Sequence, residues 1–281
     1  MKITIAKHAG YCYGVNRALK LAREATEASA KPIYTLGPLI HNPQVVESLM
    51  KQGVNAVKSV DEAVGGTIII RTHGVDPKII RAAKSKGLKV IDATCPFVAK
   101  AQQRAASLVK NGHDVVIVGE RNHPEVVGLL AYTDNKAIVV ESAQELDNLD
   151  RMERIGVVVQ TTQSIDNLAS ITKGLLTKTK ELSIFNTICN ATSQRQVAAA
   201  KLAGTVDLML VVGGKNSANT TRLAKLCKEK NEKTHHIETA DEIDESWLEN
   251  IERIGLTAGA STPDWILREV ADRLKSFGES H

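Results

Sequence analysis

Three similar segments organise the chain: KITIAKHAGYC (residues 2–12), LKVIDATC (88–95) and LSIFNTIC (182–189). Each is a short β-branched run that ends on a cysteine, and an amphipathic helical stretch follows it at once. The cysteines are 83 and 94 residues apart, well beyond the roughly 20–50 residues of a solenoid repeat. The sequence therefore predicts three copies of one α/β domain. The three cysteines are Cys12, Cys95 and Cys189.

Two further loops recur after each cysteine. The first lies 28 or 29 residues on and follows an apolar run and a glycine; its key positions are His41, His123 and Ser217. The second lies 61, 66 and 72 residues on; its key positions are His73, Thr161 and Ser261. Each copy thus resembles three strands, each ending in a polar loop and followed by a helix. This pattern predicts the α/β class with parallel strands.

The spacing also predicts the domain boundaries. Repeat one would cover residues 13–95, repeat two 96–189, and repeat three 190–281 together with 1–12 as an extra strand. If the repeats pack in a pseudo-threefold arrangement, their three thiols can meet at a central metal or cluster, because thiolates that close would otherwise repel. The loops at the carboxyl ends of the strands would then form the ligand site, where helix N-termini suit a small polyanion such as a diphosphate.

Composition excludes several classes of protein. The net charge is only +4 and aromatic residues make up 3%, with no basic run interleaved with aromatics, so no nucleic-acid groove is indicated. The longest apolar runs fall far short of the roughly 20 residues that span a bilayer, and no signal peptide is visible. We therefore expect a cytoplasmic protein without a membrane or nucleic-acid partner. In that compartment, four cysteines favour metal binding or catalysis over disulfides.

The type of metal centre stays open on spacing alone. Cysteines so far apart carry no CxxC signal, and both zinc and iron–sulfur centres use thiolate ligands. No histidine or fourth cysteine recurs beside the three thiols to close a structural zinc site. A metal centre with one open ligand position is typical of a catalytic site, whereas a structural site has all its positions filled. The fourth cysteine, Cys227, lacks the repeated frame and is expected to pack within a helix.

Eight motifs, in this order along nearly the whole chain, carry a close family resemblance. They are YCYGVNRAL, RTHGV, DATCPFV, HPEVVG, QTTQS, TICNATSQRQ, GGKNSANTTRL and TAGASTPD. The sequence resembles the LytB/IspH family, whose members reduce 4-hydroxy-3-methylbut-2-enyl diphosphate. The resemblance implies removal of the allylic hydroxyl by two-electron reduction, giving isopentenyl and dimethylallyl diphosphate for isoprenoid biosynthesis.

The same resemblance implies a cofactor and an electron donor. The family carries one [4Fe–4S] cluster on three cysteines, which match Cys12, Cys95 and Cys189 and leave the apical iron open for the substrate. Reduced ferredoxin or flavodoxin is the expected donor. A non-redox zinc-binding protein and a cluster-dependent hydratase acting on a diphosphate are the alternatives.

Site residues carry over one by one from the resemblance. Glu125 matches the acid that delivers a proton, and Thr161, preferred over Thr162, matches the residue that orients this acid and the substrate hydroxyl. At Ala218 the family commonly has a second serine, so Ala218 is left out of the diphosphate contacts. The positions that match the diphosphate contacts are His41, His73, His123, Ser217, Asn219 and Ser261.

Overall fold

The computed structural model describes residues 1–279, and the side chains of residues 1–277. The described strands are β1 (Lys2–Ile5), β2 (Ile33–Leu36), β3 (Val54–Val57), β4 (Thr67–Ile70), β5 (Lys89–Asp92), β6 (Asp114–Val118), β7 (Ile138–Val140), β8 (Met152–Val159), β9 (Thr179–Phe185), β10 (Leu208–Val212), β11 (Thr234–Ile237) and β12 (Arg253–Ala258). The described helices are α1 (Tyr13–Ala28), α2 (Pro43–Lys51), α3 (Pro77–Ser85), α4 (Pro96–Lys110), α5 (Pro124–Ala131), α6 (Ile165–Leu175), α7 (Asn190–Ala203), α8 (Ala218–Lys228) and α9 (Asp264–Glu279).

The strands form three sheets of four strands, and every pairing is parallel. All three sheets have the same order. It begins at the edge strand that leads to a cysteine, and the sheets read β1-β12-β10-β11, β5-β4-β2-β3 and β9-β8-β6-β7. The expected α/β class with three similar parallel units is confirmed.

The fourth strand of each sheet was not expected from the sequence. These strands are β3, β7 and β11, and each lies at a sheet edge. They contain only three or four residues, as in Val54–Val57 and Ile138–Val140. Such segments are too short for a period of two to stand out, so the expectation of three strands per repeat was wrong.

Dense internal contacts divide the chain into two compact units. The terminal unit comprises Met1–Val15, His41–Val45 and the residues from Asn190 onward, and the middle unit comprises Asn16–Ile40 and Val46–Cys189. The terminal unit contains the sheet β1-β12-β10-β11, and the middle unit contains the other two sheets. Ser280 and His281, the end of the range expected for repeat three, lie outside the described residues.

Helices cover both faces of the sheet in the terminal unit. Alternate residues of β10 face opposite sides: Leu208 and Leu210 pack with the apolar face of α9, whereas Met209 packs with α7 and α8. A parallel sheet buried on both faces explains why β10 reads as the continuous apolar run LMLVV.

The sheet β9-β8-β6-β7 of the middle unit is built in the same way. Val116 of β6 packs with α6 on one face, and Ile117 packs with α4 and α5 on the other. In the sheet β5-β4-β2-β3, Ile68 and Ile70 pack with residues of α3. The loops between these layers therefore start from rigid, buried strand ends.

Proline opens four of the helices, α2, α3, α4 and α5. Proline is favoured at the first helical position because its missing N–H would have no intrahelical partner there. The first residues of these four helices are Pro43, Pro77, Pro96 and Pro124. Among the described helices, none is at once long and apolar enough to span a membrane.

Candidate active site

Each of the three repeated cysteines is held by the same backbone hydrogen bond. Its N–H donates to a carbonyl in the loop that follows the neighbouring strand of its own sheet. The pairs are Cys12 to Ala260 (3.2 Å), Cys95 to Thr72 (2.9 Å) and Cys189 to Thr161 (3.0 Å). In each pair, two loops at the carboxyl ends of adjacent strands are joined, so the cysteine backbone has a fixed position within its sheet.

The three thiols suit metal ligation, and the fourth does not. Cys12, Cys95 and Cys189 form no disulfide and are partly exposed, and each directly precedes the first residue of a helix. The positive end of a helix dipole favours the thiolate, which is the form that binds metals. Cys227 is fully buried in α8, and burial raises the pKa of its thiol to about 12.

The same hydrogen bonds align the loops after β4, β8 and β12. Each forms a turn in which a backbone N–H donates three residues back: Gly74 to Arg71, Gln163 to Gln160, and Thr262 to Gly259. Thr161 is therefore the structural equivalent of Thr72 and Ala260, whereas His73 and Ser261 are equivalent to Thr162. The offsets of these positions from the preceding cysteines, 61, 66 and 72 residues, vary too much to show this shift of one residue.

Glu125 is the most enclosed acid of the candidate site. Only 1% of its surface is exposed, and it lies in the first turn of α5. Its Oε1 accepts a hydrogen bond from the Thr161 backbone N–H (2.6 Å), and its Oε2 accepts one from the Thr161 hydroxyl (2.8 Å). The Thr162 hydroxyl instead accepts a hydrogen bond from the Gln160 amide (3.0 Å). Of the two adjacent threonines, the structure brings Thr161 to the acid.

Two histidines lie in the loops beside this acid. His123 caps α5, because its Nδ1 accepts a hydrogen bond from the Glu125 N–H (3.1 Å). In a neutral imidazole that bond leaves the proton on Nε2, which can then donate to a ligand. The His73 ring meets the His123 ring edge to face, with 5.3 Å between centroids. The middle unit thus holds His73, His123, Glu125 and Thr161 in neighbouring loops.

The terminal unit holds the remaining candidates for anion binding. Ser217 caps α8 by accepting a hydrogen bond from the Thr220 N–H (3.4 Å), and the Ser261 hydroxyl donates to the His41 carbonyl (2.9 Å). Asn219 lies in the first turn of α8. Its amide nitrogen Nδ2 is buried and has no hydrogen-bond partner in the described part of the chain. A buried donor at a helix N-terminus is suited to an anion.

Sequence reasoning missed two residues that position these loops. Gln160 is fully buried; its Oε1 accepts from the Glu120 N–H (2.9 Å) and its amide donates to Thr162 (3.0 Å), so it joins the β6 and β8 loops. Asn42 bonds the start of α2, because its Oδ1 accepts a hydrogen bond from the Val45 N–H (3.0 Å). An amide or hydroxyl side chain just before a proline-led helix is the signal that could have identified Asn42.

The chain is similar to known proteins along nearly its whole length. A family model described as LytB protein matches residues 3–275. A 4-hydroxy-3-methylbut-2-enyl diphosphate reductase of Geobacter sp. (strain M21) is 51% identical over 278 residues, covering 99% of this chain and 98% of the relative. An enzyme of the same name from Pelobacter propionicus is 52% identical over 281 residues and covers both chains fully.

Solved structures agree with this match. The structure described as (E)-4-hydroxy-3-methyl-but-2-enyl diphosphate reductase, the terminal enzyme of the non-mevalonate pathway, aligns with a TM-score of 0.73 at 47% identity, covering 98% of this chain and 99% of its own. The E-1-hydroxy-2-methyl-but-2-enyl-4-diphosphate reductase of Plasmodium falciparum aligns with a TM-score of 0.93 at 30% identity, covering 98% and 88%.

Proposed function

The chain belongs to the LytB protein family, and on that premise we propose that it reduces 4-hydroxy-3-methylbut-2-enyl diphosphate. The reaction consumes two electrons and two protons, breaks the allylic carbon–oxygen bond, releases water and gives isopentenyl or dimethylallyl diphosphate. One observation carries the proposal. Thr161 accepts a hydrogen bond from the Cys189 N–H and donates two to the Glu125 carboxylate. One residue therefore bonds both a proposed cluster ligand and the proposed acid.

We propose Cys12, Cys95 and Cys189 as the ligands of one [4Fe–4S] cluster with an open apical iron. Three partly exposed thiols at helix N-termini fit such a cluster, because thiolates are its usual ligands. When bound, the cluster supplies electrons and a Lewis-acidic iron for the substrate oxygen. Cys227 has no part in this set, since its thiol is buried in α8.

Glu125 is proposed as the acid that protonates the leaving oxygen. A buried carboxyl group needs polar partners, and the two donors of Thr161 fix both of its oxygens. The Thr161 hydroxyl can also turn to the substrate hydroxyl, which would orient the oxygen toward the acid. Proton transfer from a group held in this way contributes about 10²–10⁴-fold to a rate.

The diphosphate is proposed to bind at the two sets of loops already described. In a neutral His123 ring the hydrogen bond at Nδ1 leaves the proton on Nε2, and the buried Asn219 amide nitrogen has no partner among the described residues. Ser217 lies at the N-terminus of α8, an 11-residue helix whose dipole favours an anion. The proposed contacts are His41, His73, His123, Ser217, Asn219 and Ser261.

The electron donor and the location complete the proposal. Reduced ferredoxin or flavodoxin would deliver the electrons one at a time, and a cytoplasmic location would keep all four thiols reduced.

Anaerobic reconstitution tests the proposal. Protein refilled with iron and sulfide should contain about four of each per chain, the composition of one cubane cluster. It should convert the hydroxylated diphosphate only when a reductant such as dithionite is present. Colourless protein with stoichiometric zinc would overturn the cluster. Turnover that persists without any reductant would replace the reductase with a hydratase.

A further inference from the structure

An open groove lies on the terminal unit, and none of its lining residues is among the proposed diphosphate contacts. It has a volume of about 370 Å³ and is formed by the segment after β1 and by the outer face of α7. We call it the α7 groove. Its lining residues are Lys7, His8, Ser193, Gln194, Val197, Ala198 and Lys201.

The α7 groove lies in a part of the sequence without acidic residues. Residues 1–23 contain five lysines and arginines, residues 182–206 contain two, and neither stretch contains Asp or Glu. This absence stands out because the whole chain carries 32 acidic residues against 36 basic ones. Lys7 and Lys201 are both exposed at the groove, so its rim favours a negatively charged partner.

The centre of the groove is apolar and open. Val197 is 69% exposed on α7, and Ala198 lies beside it in the lining. An exposed aliphatic side chain within a ring of polar and charged residues is the usual composition of a small protein interface. A free anion would gain nothing from Val197, whereas a protein surface would bury it.

The elements behind the groove carry two of the proposed cluster ligands. α7 begins at the residue after Cys189, and Ser193 lies about 6 Å along the helix from that cysteine at 1.5 Å per residue. The buried Arg195 of α7 donates from Nη2 to the Gly10 carbonyl (2.8 Å), two residues before Cys12. Because electron tunnelling weakens steeply with distance, a partner seated here would be favourably placed to transfer electrons.

We propose that the α7 groove is the docking surface for a small acidic electron-transfer protein. This inference rests on the proposed function and specifies where its electron donor binds. Lys7 and Lys201 attract the acidic surface of the donor, and Val197 forms the apolar centre of the contact. Electrons enter next to the backbone segments that hold Cys12 and Cys189.

Charge reversal on the reconstituted enzyme tests the groove. Lys7→Glu combined with Lys201→Glu should weaken binding of oxidised flavodoxin, measured by calorimetry at low ionic strength, by at least about tenfold. The KM for reduced flavodoxin should rise to the same extent. Turnover with dithionite should stay within about twofold, because a small reductant needs no docking surface.

A matched control and a second variant complete the test. Lys233→Glu is the matched control. Lys233 is also exposed in the terminal unit, but it precedes β11, at the edge and end of the sheet opposite to the segment after β1. It should leave flavodoxin binding unchanged. Val197→Glu, at an exposed helix position, should weaken binding without disturbing the fold. Unchanged flavodoxin affinity in both the double variant and Val197→Glu would overturn the docking surface. Failure of the unmodified protein to turn over with dithionite would instead overturn the proposed function, and the docking proposal with it.

Discussion

A single threonine determines the environment of the buried acid. Thr161 contacts both carboxylate oxygens of Glu125, which has 1% of its surface exposed. Without such partners, a buried carboxyl group would cost several kcal/mol of stability. The Thr161 carbonyl is in turn bonded by the Cys189 N–H. A change at this threonine is therefore transmitted to the acid and to a proposed ligand.

Glu125→Gln should leave the cluster and the diphosphate affinity intact but lower turnover by about 10²–10⁴-fold, because an amide cannot deliver the proton. Single-turnover kinetics on reconstituted protein, together with iron content, would measure this. Thr161→Ser keeps the hydroxyl and serves as the matched control with a small loss. If Glu125→Gln turns over at the unmodified rate, Glu125 is not the acid.

Cys227→Ser should retain the full iron content, because Cys227 is buried among Leu223, Ala199 and Val211 and points to no ligand site. The hydroxyl placed in this apolar setting should lower the free energy of unfolding by about 1–3 kcal/mol. Cys95→Ser is the opposite control and should lose the cluster with little change in the core. Absorbance at visible wavelengths and urea denaturation measure the two effects; loss of absorbance in Cys227→Ser would contradict the ligand assignment.

At the scale of elements, the helices α4 and α7, which follow Cys95 and Cys189, pack against β8 and β12 at equivalent positions. The residue 13 places after Cys95 is Leu108, and a Cβ on Gly156 of β8 would lie 2.5 Å from its Cδ2. The residue 13 places after Cys189 is Leu202, and a Cβ on Gly255 of β12 would lie 3.1 Å from its Cγ. Glycine in the strand makes room for leucine on the helix.

The first repeat reverses the sizes of this pair. The residue 13 places after Cys12 is Ala25, and the position equivalent to Gly156 is Thr67 of β4, five residues before Thr72. A small helix residue there accompanies a larger strand residue. Total volume at the position is thus kept similar, as close-packed cores require.

The size reversal predicts a coupled pair. Gly156→Thr alone should destabilise the protein by about 1–3 kcal/mol through overpacking, and Leu108→Ala alone by about 2–5 kcal/mol through a cavity. The double variant imitates the first repeat, so its cost should be smaller than the sum by at least about 1 kcal/mol. A double-mutant cycle by chemical denaturation measures the difference; strict additivity would refute the compensation.

An ion pair joins the starts of β10 and β12. Asp207 accepts hydrogen bonds from the Arg253 side chain (Nη2 to Oδ1, 2.6 Å) and backbone N–H (2.8 Å), and these bonds lower the pKa of Asp207 to about 2. A lowered pKa in the folded state means that the ionised form stabilises the fold at neutral pH. The benefit disappears as pH falls through that pKa.

Asp207→Asn should therefore be less stable than the unmodified protein at pH 7 and at pH 5, by similar amounts. The difference should shrink between about pH 4 and pH 2, as the aspartate protonates. Denaturation curves at these pH values would measure it, and the effect should be modest because the pair is largely solvated. A difference that grows on acidification would contradict the assigned direction.

At the scale of the whole molecule, one strand order is used three times, and each copy contributes one cysteine. The proposed ligands are 83 and 94 residues apart, so a cluster would close two long loops of the chain. A group that binds only the folded chain stabilises it by mass action.

Reconstitution with iron and sulfide should raise the Tm by about 10 °C, given several kcal/mol of binding free energy at about 2–4 °C per kcal/mol. Anaerobic calorimetry of protein with and without the cluster would measure this. Cys95→Ser should show no such rise. A Tm that is the same in both states would argue against ligands from distant segments.

The sequence by itself determined the repeated strand–cysteine–helix frames and the α/β class with parallel strands. These features depend on side-chain periodicity and turn chemistry within about ten residues, so they can be read without the tertiary structure. The roles of the candidate residues were carried over from the family resemblance, which rests on motifs that are likewise local. The short edge strands were missed because each becomes a strand only by pairing with a neighbour, as β7 does with β6.

Only the tertiary structure decided which threonine of Gln-Thr-Thr-Gln bonds Glu125, which lies 36 residues away, and the register in which β1 pairs with β12, where Lys2 is opposite Arg253. It also decided that Gln160 joins two loops and that a glycine in the strand leaves room for a leucine of the packed helix. These outcomes depend on packing between distant segments, where a shift of one residue changes which side chain points inward. A pattern within one segment does not specify which residue of a distant segment will lie opposite it.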